Sequence, residues 1–507
     1  MFNPLRSHKI PILMATQHPD NAMAPFWGSQ AIITTNEEAE EIYQCFSGLG
    51  CDEYMWDWEG KFADEAMIER LVSNYFKYFQ KNQLGRDNAI LMRVPNIWEE
   101  KTFKLARAYM SILSSAEFTK SLKLHTPPVF ELILPMTKNA DQLIHLQKTF
   151  QKTAKLHKEI FGETEFGKGY IHVIPLFESV DDLANCAKVL EEFLKLHKTN
   201  FGSYPPYLRV FIARSDPALN AGFVSAVLAT RLALREINRV SEKTGVPMYP
   251  IIGTGSLPFR GGINPENIEK SLPQYEGART VTIQSAFRYD YPLKDVKKAV
   301  NFIKKTLKNS KSIKFNTNEF NQIKKITGLF KDIYSPTIET FAPLINEMAA
   351  FVPQRRERVQ HIGLFGYSRG VGTTKLPRAI SFTCACYSLG IPPEFIGTGR
   401  GLEKAKKQEL LPLIDKHFPT LRHELQHAGK FLNRENLSIL AVDNKWASEI
   451  QKDIELCEKI LGIELGPQKE NHFLHRNLTS NILLKKKIGK DFSKDLIEAA
   501  MFRKSLG

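Results

Sequence analysis

Cysteine is scarce in this chain. Its 507 residues hold six, at positions 45, 51, 186, 384, 386 and 457, and no two form a Cys-x-x-Cys pair. That argues against a disulfide-stapled scaffold and suits free thiols in a reducing cytosol, so a cytoplasmic location is expected. Long apolar runs are missing as well. Nowhere do about 18 uncharged apolar residues follow one another, so no membrane-spanning helix is predicted. The apolar stretch within the first 20 residues is too short for a secretory leader. There is no internal repeat, no low-complexity linker and no Walker-type phosphate loop. Acidic residues are in deficit, 55 against 69 Lys and Arg, for a net charge of +14. Most of the surplus lies in two lysine-rich stretches, 294–325 and 467–507. Neither carries an interleaved aromatic platform, so both read as solvated helix faces, and no nucleic-acid partner is expected.

What is present is a globular composition, 43% hydrophobic and 24% charged, enough for a large core. Eight short apolar runs recur, at 53–56, 89–94, 129–134, 171–176, 208–213, 248–252, 280–283 and 361–365. Most are continuous rather than alternating, as strands buried on both faces are. Helical periodicity separates them at 63–82, 141–160, 181–198 and 217–243, with Asp181 and Asp216 placed as N-caps. Eight β-then-α units predict an α/β fold, a (β/α)8 TIM-like barrel. Such a barrel needs about 250 residues. The surplus predicts large helical insertions, chiefly 293–355, and a helical C-terminal region from about 402. The barrel core is expected over about 50–370 of one domain spanning 1–507.

In such a barrel the active site is built from residues following the strands. Here these are Asp57 and Glu59, Arg93, Glu178, Arg214 to Asp216, the Gly-rich stretch 253–262 with Arg260, then Gln284 and Arg288, and Arg369 after the last run. Arginines give planar, bidentate donors to phosphate and carboxylate. Glu178 and Asp216 end adjacent runs and fit one divalent cation whose remaining ligands are water and substrate. The glycines allow backbone amides close to a phosphate. The set predicts an anionic substrate and a divalent metal.

The same residues resemble a known family. Met14-Ala-Thr-Gln-His18-Pro-Asp-Asn21 resembles the N-terminal signature of the archaeal-type, short-form phosphoenolpyruvate carboxylases. Pro175-Leu-Phe-Glu178-Ser-Val-Asp-Asp-Leu183 and Phe211-Ile-Ala-Arg-Ser-Asp216-Pro-Ala-Leu-Asn-Ala-Gly222 resemble the two metal-ligand segments. Phe259-Arg260-Gly-Gly262 resembles the phosphate loop, Gly366-Tyr-Ser-Arg369 a Gly-Ser-Arg segment, and Leu376-Pro-Arg378-Ala-Ile380 a Leu-Arg-Ala-Ile segment. Trp56-Asp57-Trp-Glu59-Gly60 loosely resembles Gly-Asp-Arg-Asp-Gly. The chain departs from the long forms at Leu219 and Asn220, at Pro258-Phe259, and in lacking a second Gly-Arg-Gly-Gly copy. The resemblance spans essentially the whole chain. It implies Mg²⁺-dependent carboxylation of phosphoenolpyruvate by bicarbonate to oxaloacetate and phosphate, through carboxyphosphate and the pyruvate enolate. It implies Mg²⁺ (or Mn²⁺) on Glu178 and Asp216, and His18, Arg260 and Arg369 as catalytic groups. It further implies Arg93, Arg260, Gln284, Arg288, Arg369 and Arg378 around the substrate, and a homotetramer.

Two other readings compete. His423-Glu-Leu-Gln-His427 fits the H-E-x-x-H pattern of zinc peptidases, although Lys430 stands where the metzincin extension needs Gly. The plainer reading of Arg422, His423 and Glu424 is a polar helix face. The barrel also suits other phosphoenolpyruvate- or pyruvate-handling enzymes of kinase or lyase type, some of which would need a nucleotide.

Overall fold

The computed structural model describes residues 9–59, 64–99, 104–162, 166, 171–357, 370–371 and 374–507. Eight parallel strands close into a barrel in chain order: β1 (Leu13–Thr16), β2 (Glu53–Asp57), β3 (Ala89–Arg93), β4 (Glu131–Leu134), β5 (His172–Phe177), β6 (Leu208–Ala213), β7 (Met248–Gly253) and β8 (Thr280–Ile283). Seven match the runs seen in the sequence. The remaining strand is Leu13–Thr16, which pairs with both β2 and β8 and so completes the ring. Its four residues are too short a run to separate from a loop by pattern alone. The run at 361–365 lies outside the described residues. Because the last strand ends at Ile283, the helices Leu293–Leu307 and Thr317–Ala349 follow the barrel and do not interrupt it.

Side chains alternate along a strand, so every second residue faces the barrel axis. At the N-terminal end the even strands put charge there. Arg209 of β6 donates to Glu53 of β2 at 2.6 and 2.7 Å and to Glu131 of β4 at 2.9 Å, and it approaches Thr280 of β8 at 3.3 Å. The Tyr207 hydroxyl donates to the other Glu131 oxygen at 2.7 Å. Four side chains from alternate strands form one layer, as barrel interiors are built. Two residues further along β2, β4 and β6 the axis is apolar, with Met55, Ile133 and Phe211 packed with Met14, Leu91, Ile174 and Ile251. Two further still, Asp57 and Ala213 reach the floor of a cavity at the C-terminal mouth.

The barrel helices cover the outside. Helix Ala140–Phe161 is capped by Asn139, and helix Val180–Phe201 by Ser179, whose hydroxyl accepts from the Asp182 amide. Asp181 therefore lies in the first turn, and Asp216 lies inside the short helix Ser215–Ala221, not at its cap. A second core joins helix Phe223–Thr244 to the helices after the barrel through Phe330, Phe341, Phe382, Phe395 and Trp446. The lysines of helix Leu293–Leu307 face outward opposite buried Val296, Val300 and Ile303. All six cysteines are buried and free. Among the described residues no helix is long and apolar enough to cross a membrane.

Removing one partner of a buried ion pair costs about 3–5 kcal/mol. Arg209→Leu strands Glu53 and Glu131 in the barrel and should lower unfolding free energy by about that amount near neutral pH. The stranded carboxyls must take up protons on folding. The deficit should therefore shrink as pH falls toward the carboxylate range, which denaturant titrations across pH will read.

Candidate active site

The cavity at the barrel mouth has a volume of about 380 Å³. The strand ends supply its floor, and the segments Ala349 to Arg355 and Arg378 to Ser381 form the opposite wall. The helices after the barrel are thus part of the site. His18, Arg93, Glu178, Asp216, Arg260, Gln284 and Arg378, all expected from the sequence, line this one cavity. Arg369 lies outside the described residues.

Arg260 is the hub. It is buried at 1% exposure. One guanidinium nitrogen contacts the Asp20 carboxylate at 3.0 Å and the main-chain oxygen of Gly507, a second reaches Gln284 Oε1, and Nε lies 3.2 Å from Ser215 Oγ. Asp20 also accepts from the Ala286 amide at 2.7 Å and Ser285 Oγ at 3.1 Å. The loop carrying Arg260 is tight. Gly261 and Gly262 have φ of +130° and +71°, and a Cβ on Gly262 would stand 2.6 Å from Glu424 Oε2. Phe259 anchors the loop, stacking on Phe382 and donating its amide to Glu394 at 2.7 Å.

The acidic side of the cavity is braced by arginine. Arg93 forks Asp57 at 2.9 and 2.6 Å and reaches Glu59 at 2.9 Å, while Arg378 meets Glu59 at 3.1 Å. Burial alone would lower the Arg93 pKa, but Asp57 and Glu59 more than reverse it and hold it well above its usual value. Its charge is therefore matched within the protein. Glu178 accepts from the Met136 amide at 2.6 Å, which orients the carboxylate. His18 keeps Nδ1 2.9 Å from Thr16 Oγ1, and its carbonyl accepts from Ser285 Oγ at 2.8 Å.

Arg288 departs from the expectation. The chain turns into helix Ser285–Tyr289 directly after Gln284, which carries Arg288 behind β1 and away from the cavity. There it donates to the carbonyls of Thr16 and Ile283 at 2.9 and 3.3 Å and to Glu41 at 2.8 Å. Arg356 binds the same carboxylate. Burial would raise the Glu41 pKa, but Arg356 and Arg288 outweigh it and bring it down to about 2.

The H-E-x-x-H segment is built into this support rather than exposed as a polar face. His423 bonds Asn267, and Glu424 is buried behind Gly262, accepting from Ser271 Oγ at 2.5 Å. Among the described residues no group of three or more His, Cys, Asp or Glu is gathered for a metal. Sequence reasoning missed Arg355, which lines the cavity and donates to the carbonyls of Asn21 and Ala22 at 3.0 and 3.3 Å. It also missed Asp20 as the partner of Arg260. The first has no motif around it, whereas the second lay within the His18 segment and was legible as a carboxylate.

Residues 10–507 match the profile of a family described as Phosphoenolpyruvate carboxylase. The chain is 39% identical over 479 residues to the phosphoenolpyruvate carboxylase of Oenococcus oeni, covering 94% of each. It is 37% identical over 521 residues to that of Metallosphaera sedula, covering 98% of this chain and 99% of the relative. With that of Pyrococcus horikoshii it shares 38% identity over 434 residues, 84% of this chain and 89% of the relative.

A group whose folded pKa is depressed stabilises the fold above its unfolded value and loses that contribution as pH falls. For Glu41 the window runs from 4.5 down to about 2. Glu41→Gln should lower the melting temperature at neutral pH and leave a shallower acid dependence below pH 4.5 than the parent shows. An unchanged acid limb would contradict the assignment.

Proposed function

This chain belongs to the phosphoenolpyruvate carboxylase family, in its short archaeal-type form, and we propose that the cavity at its barrel mouth carboxylates phosphoenolpyruvate with bicarbonate. The observation that carries this reading is the convergence of Glu178, Asp216, Arg260, Gln284 and His18 on one cavity. Two carboxylates on neighbouring strand ends suit a hard divalent cation completed by water and substrate oxygens, and Mg²⁺ or Mn²⁺ fits such a donor set. When bound, that cation supplies Lewis acidity for the enolate oxygen.

The chain's own residues meet the remaining demands. Phosphoryl transfer needs its equatorial oxygens held and their charge offset. Arg260, fixed by Asp20 and Gln284, presents its guanidinium there, and Arg378 and Arg369 are assigned to the same anion. Bicarbonate oxygen attacks phosphorus and the P–O bond to the enolate breaks, giving carboxyphosphate. His18 takes the carboxyphosphate proton at Nε2, the nitrogen not engaged by Thr16, as CO₂ and phosphate separate. The enolate carbon then attacks CO₂ to give oxaloacetate. Arg93, matched by Asp57 and Glu59, orients the acidic wall. Arg288 has no part in binding and acts through the support behind β1. The helical wall restricts water, which would otherwise protonate the enolate. A homotetramer follows from the family resemblance, and sedimentation checks it.

The test couples oxaloacetate to NADH oxidation through malate dehydrogenase, with phosphoenolpyruvate, bicarbonate and Mg²⁺. Turnover should need bicarbonate and metal and be indifferent to a nucleoside diphosphate, whose requirement would favour a kinase-type barrel instead. Glu178→Ala and Asp216→Ala should each abolish turnover and weaken Mn²⁺ binding read by electron paramagnetic resonance. Normal Mn²⁺ affinity in both would overturn the ligand assignment. His18→Asn should release pyruvate and phosphate without oxaloacetate, and oxaloacetate formed at the parent rate would remove His18 from the mechanism.

A further inference from the structure

The large buried arginines of the barrel and its supports differ in one respect. Arg209 is paired with Glu53 and Glu131, Arg288 and Arg356 with Glu41, and Arg260 with Asp20. Arg214 has no such counter-charge. It follows the last residue of β6, is 1% exposed, and lines the cavity beside Ser215 and Arg260. Among the described residues none of its three guanidinium nitrogens makes a hydrogen bond of normal geometry. The Tyr275 hydroxyl lies within reach of the guanidinium, and Glu424 feels its charge, but neither supplies a negative counter-charge. The Tyr275 hydroxyl already donates to Gly261 at 2.7 Å. Burial pushes the Glu424 acid up to about 8, so it is largely protonated at neutral pH and carries little negative charge.

A buried guanidinium without a counter-charge or a well-formed hydrogen bond is costly, and folded proteins keep one where a ligand supplies what is missing. The planar fork of arginine matches an oxyanion with two or three oxygens. We propose that Arg214 is an oxyanion-binding residue of this site, completed only when a carboxylate, bicarbonate or phosphate group of a substrate enters the cavity. The identity of that substrate rests on the carboxylase reading, while the anion site itself does not.

Two measurements on the full chain separate these levels. The first is the melting temperature of the parent, Arg214→Gln and Arg214→Lys, without anion and with inorganic phosphate. Arg214→Gln should melt no lower than the parent without anion, because it removes an uncompensated buried charge, and it should lose more than half of the stabilisation by phosphate. Arg214→Lys should keep part of that response. The second is steady-state kinetics. Arg214→Gln should raise KM for one substrate by about tenfold or more, as loss of a charge-assisted contact does. A rise for bicarbonate assigns the group to that anion, and a rise for phosphoenolpyruvate assigns it to the other. A lower melting temperature without anion would mark Arg214 as a structural cation and overturn the proposal. So would a parent indifferent to phosphate, or a variant whose phosphate response and both KM values stay within twofold of the parent's. If the parent turns nothing over, the carboxylase reading fails and the phosphate melts alone decide the anion site.

Discussion

The interaction that the barrel depends on is the buried bridge from Arg209 to Glu53 and Glu131. A strand that slips by one residue turns every side chain to the opposite face. With its charges locked on the axis, β6 cannot slip against β2 or β4 without stranding ions in the core. Parity then propagates upward. Glu53 facing the axis requires Met55 and Asp57 to do so, and Arg209 facing it requires Phe211 and Ala213. The same alternation carries Leu91 to Arg93, and Ile174 to Leu176 and Glu178. The acidic floor of the cavity is thus set by an ion cluster at the other end of the barrel.

A second constraint joins distant segments. Arg260 binds Asp20 from just after β1, Ser215 from the end of β6, Gln284 from the end of β8, and Gly507. The Leu506 amide donates to the Asp20 carbonyl at 2.7 Å and Ser505 Oγ lies 3.3 Å from the same oxygen, so the C-terminal residues brace the backbone of the residue whose carboxylate holds Arg260. A Cβ on Gly507 would fall 2.1 Å from the Ile380 carbonyl, so no larger residue fits there. The orientation of Arg260 is therefore shared among parts of the chain that fold separately in sequence. Loss of any one contact would be felt at the guanidinium and not only locally, because side chains in a single network do not contribute independently.

Much of this was legible in the amino-acid sequence, and the exceptions have physical causes. Seven strands were marked by runs of β-branched and large apolar residues, and their C-terminal ends carried the polar groups that gather in the cavity. The eighth, Leu13–Thr16, was not legible because closing a ring makes no demand on residue type beyond a few buried positions. Glu53, Glu131 and Arg209 stood inside apolar runs, and nothing in one strand announces that a charge in another will meet it. Arg288 lies away from its expected place because distance along the chain from Gln284 says nothing of the direction in which a helix turns. The burial of Glu424 is hidden in the sequence because a polar helix stripe looks the same whether it faces water or a glycine loop. In each case the missing information was a long-range contact.

The charge pattern of the cavity shows why such a site separates its arginines into kinds. Five arginines and four carboxylates line it among the described residues. Arg93 and Arg378 are tied to Asp57 and Glu59, and Arg260 to Asp20, so their positions are fixed before any ligand arrives. A preorganised donor loses little on binding, but part of its attraction is already met by its partner. An arginine left without a counter-ion keeps its full attraction at a cost to stability. A site that must draw in two anions needs both kinds, paired groups to give geometry and at least one unpaired group to give net positive potential. Carboxylates alone would hold a cation and repel the substrates. Fully paired arginines would position the substrates and attract them weakly.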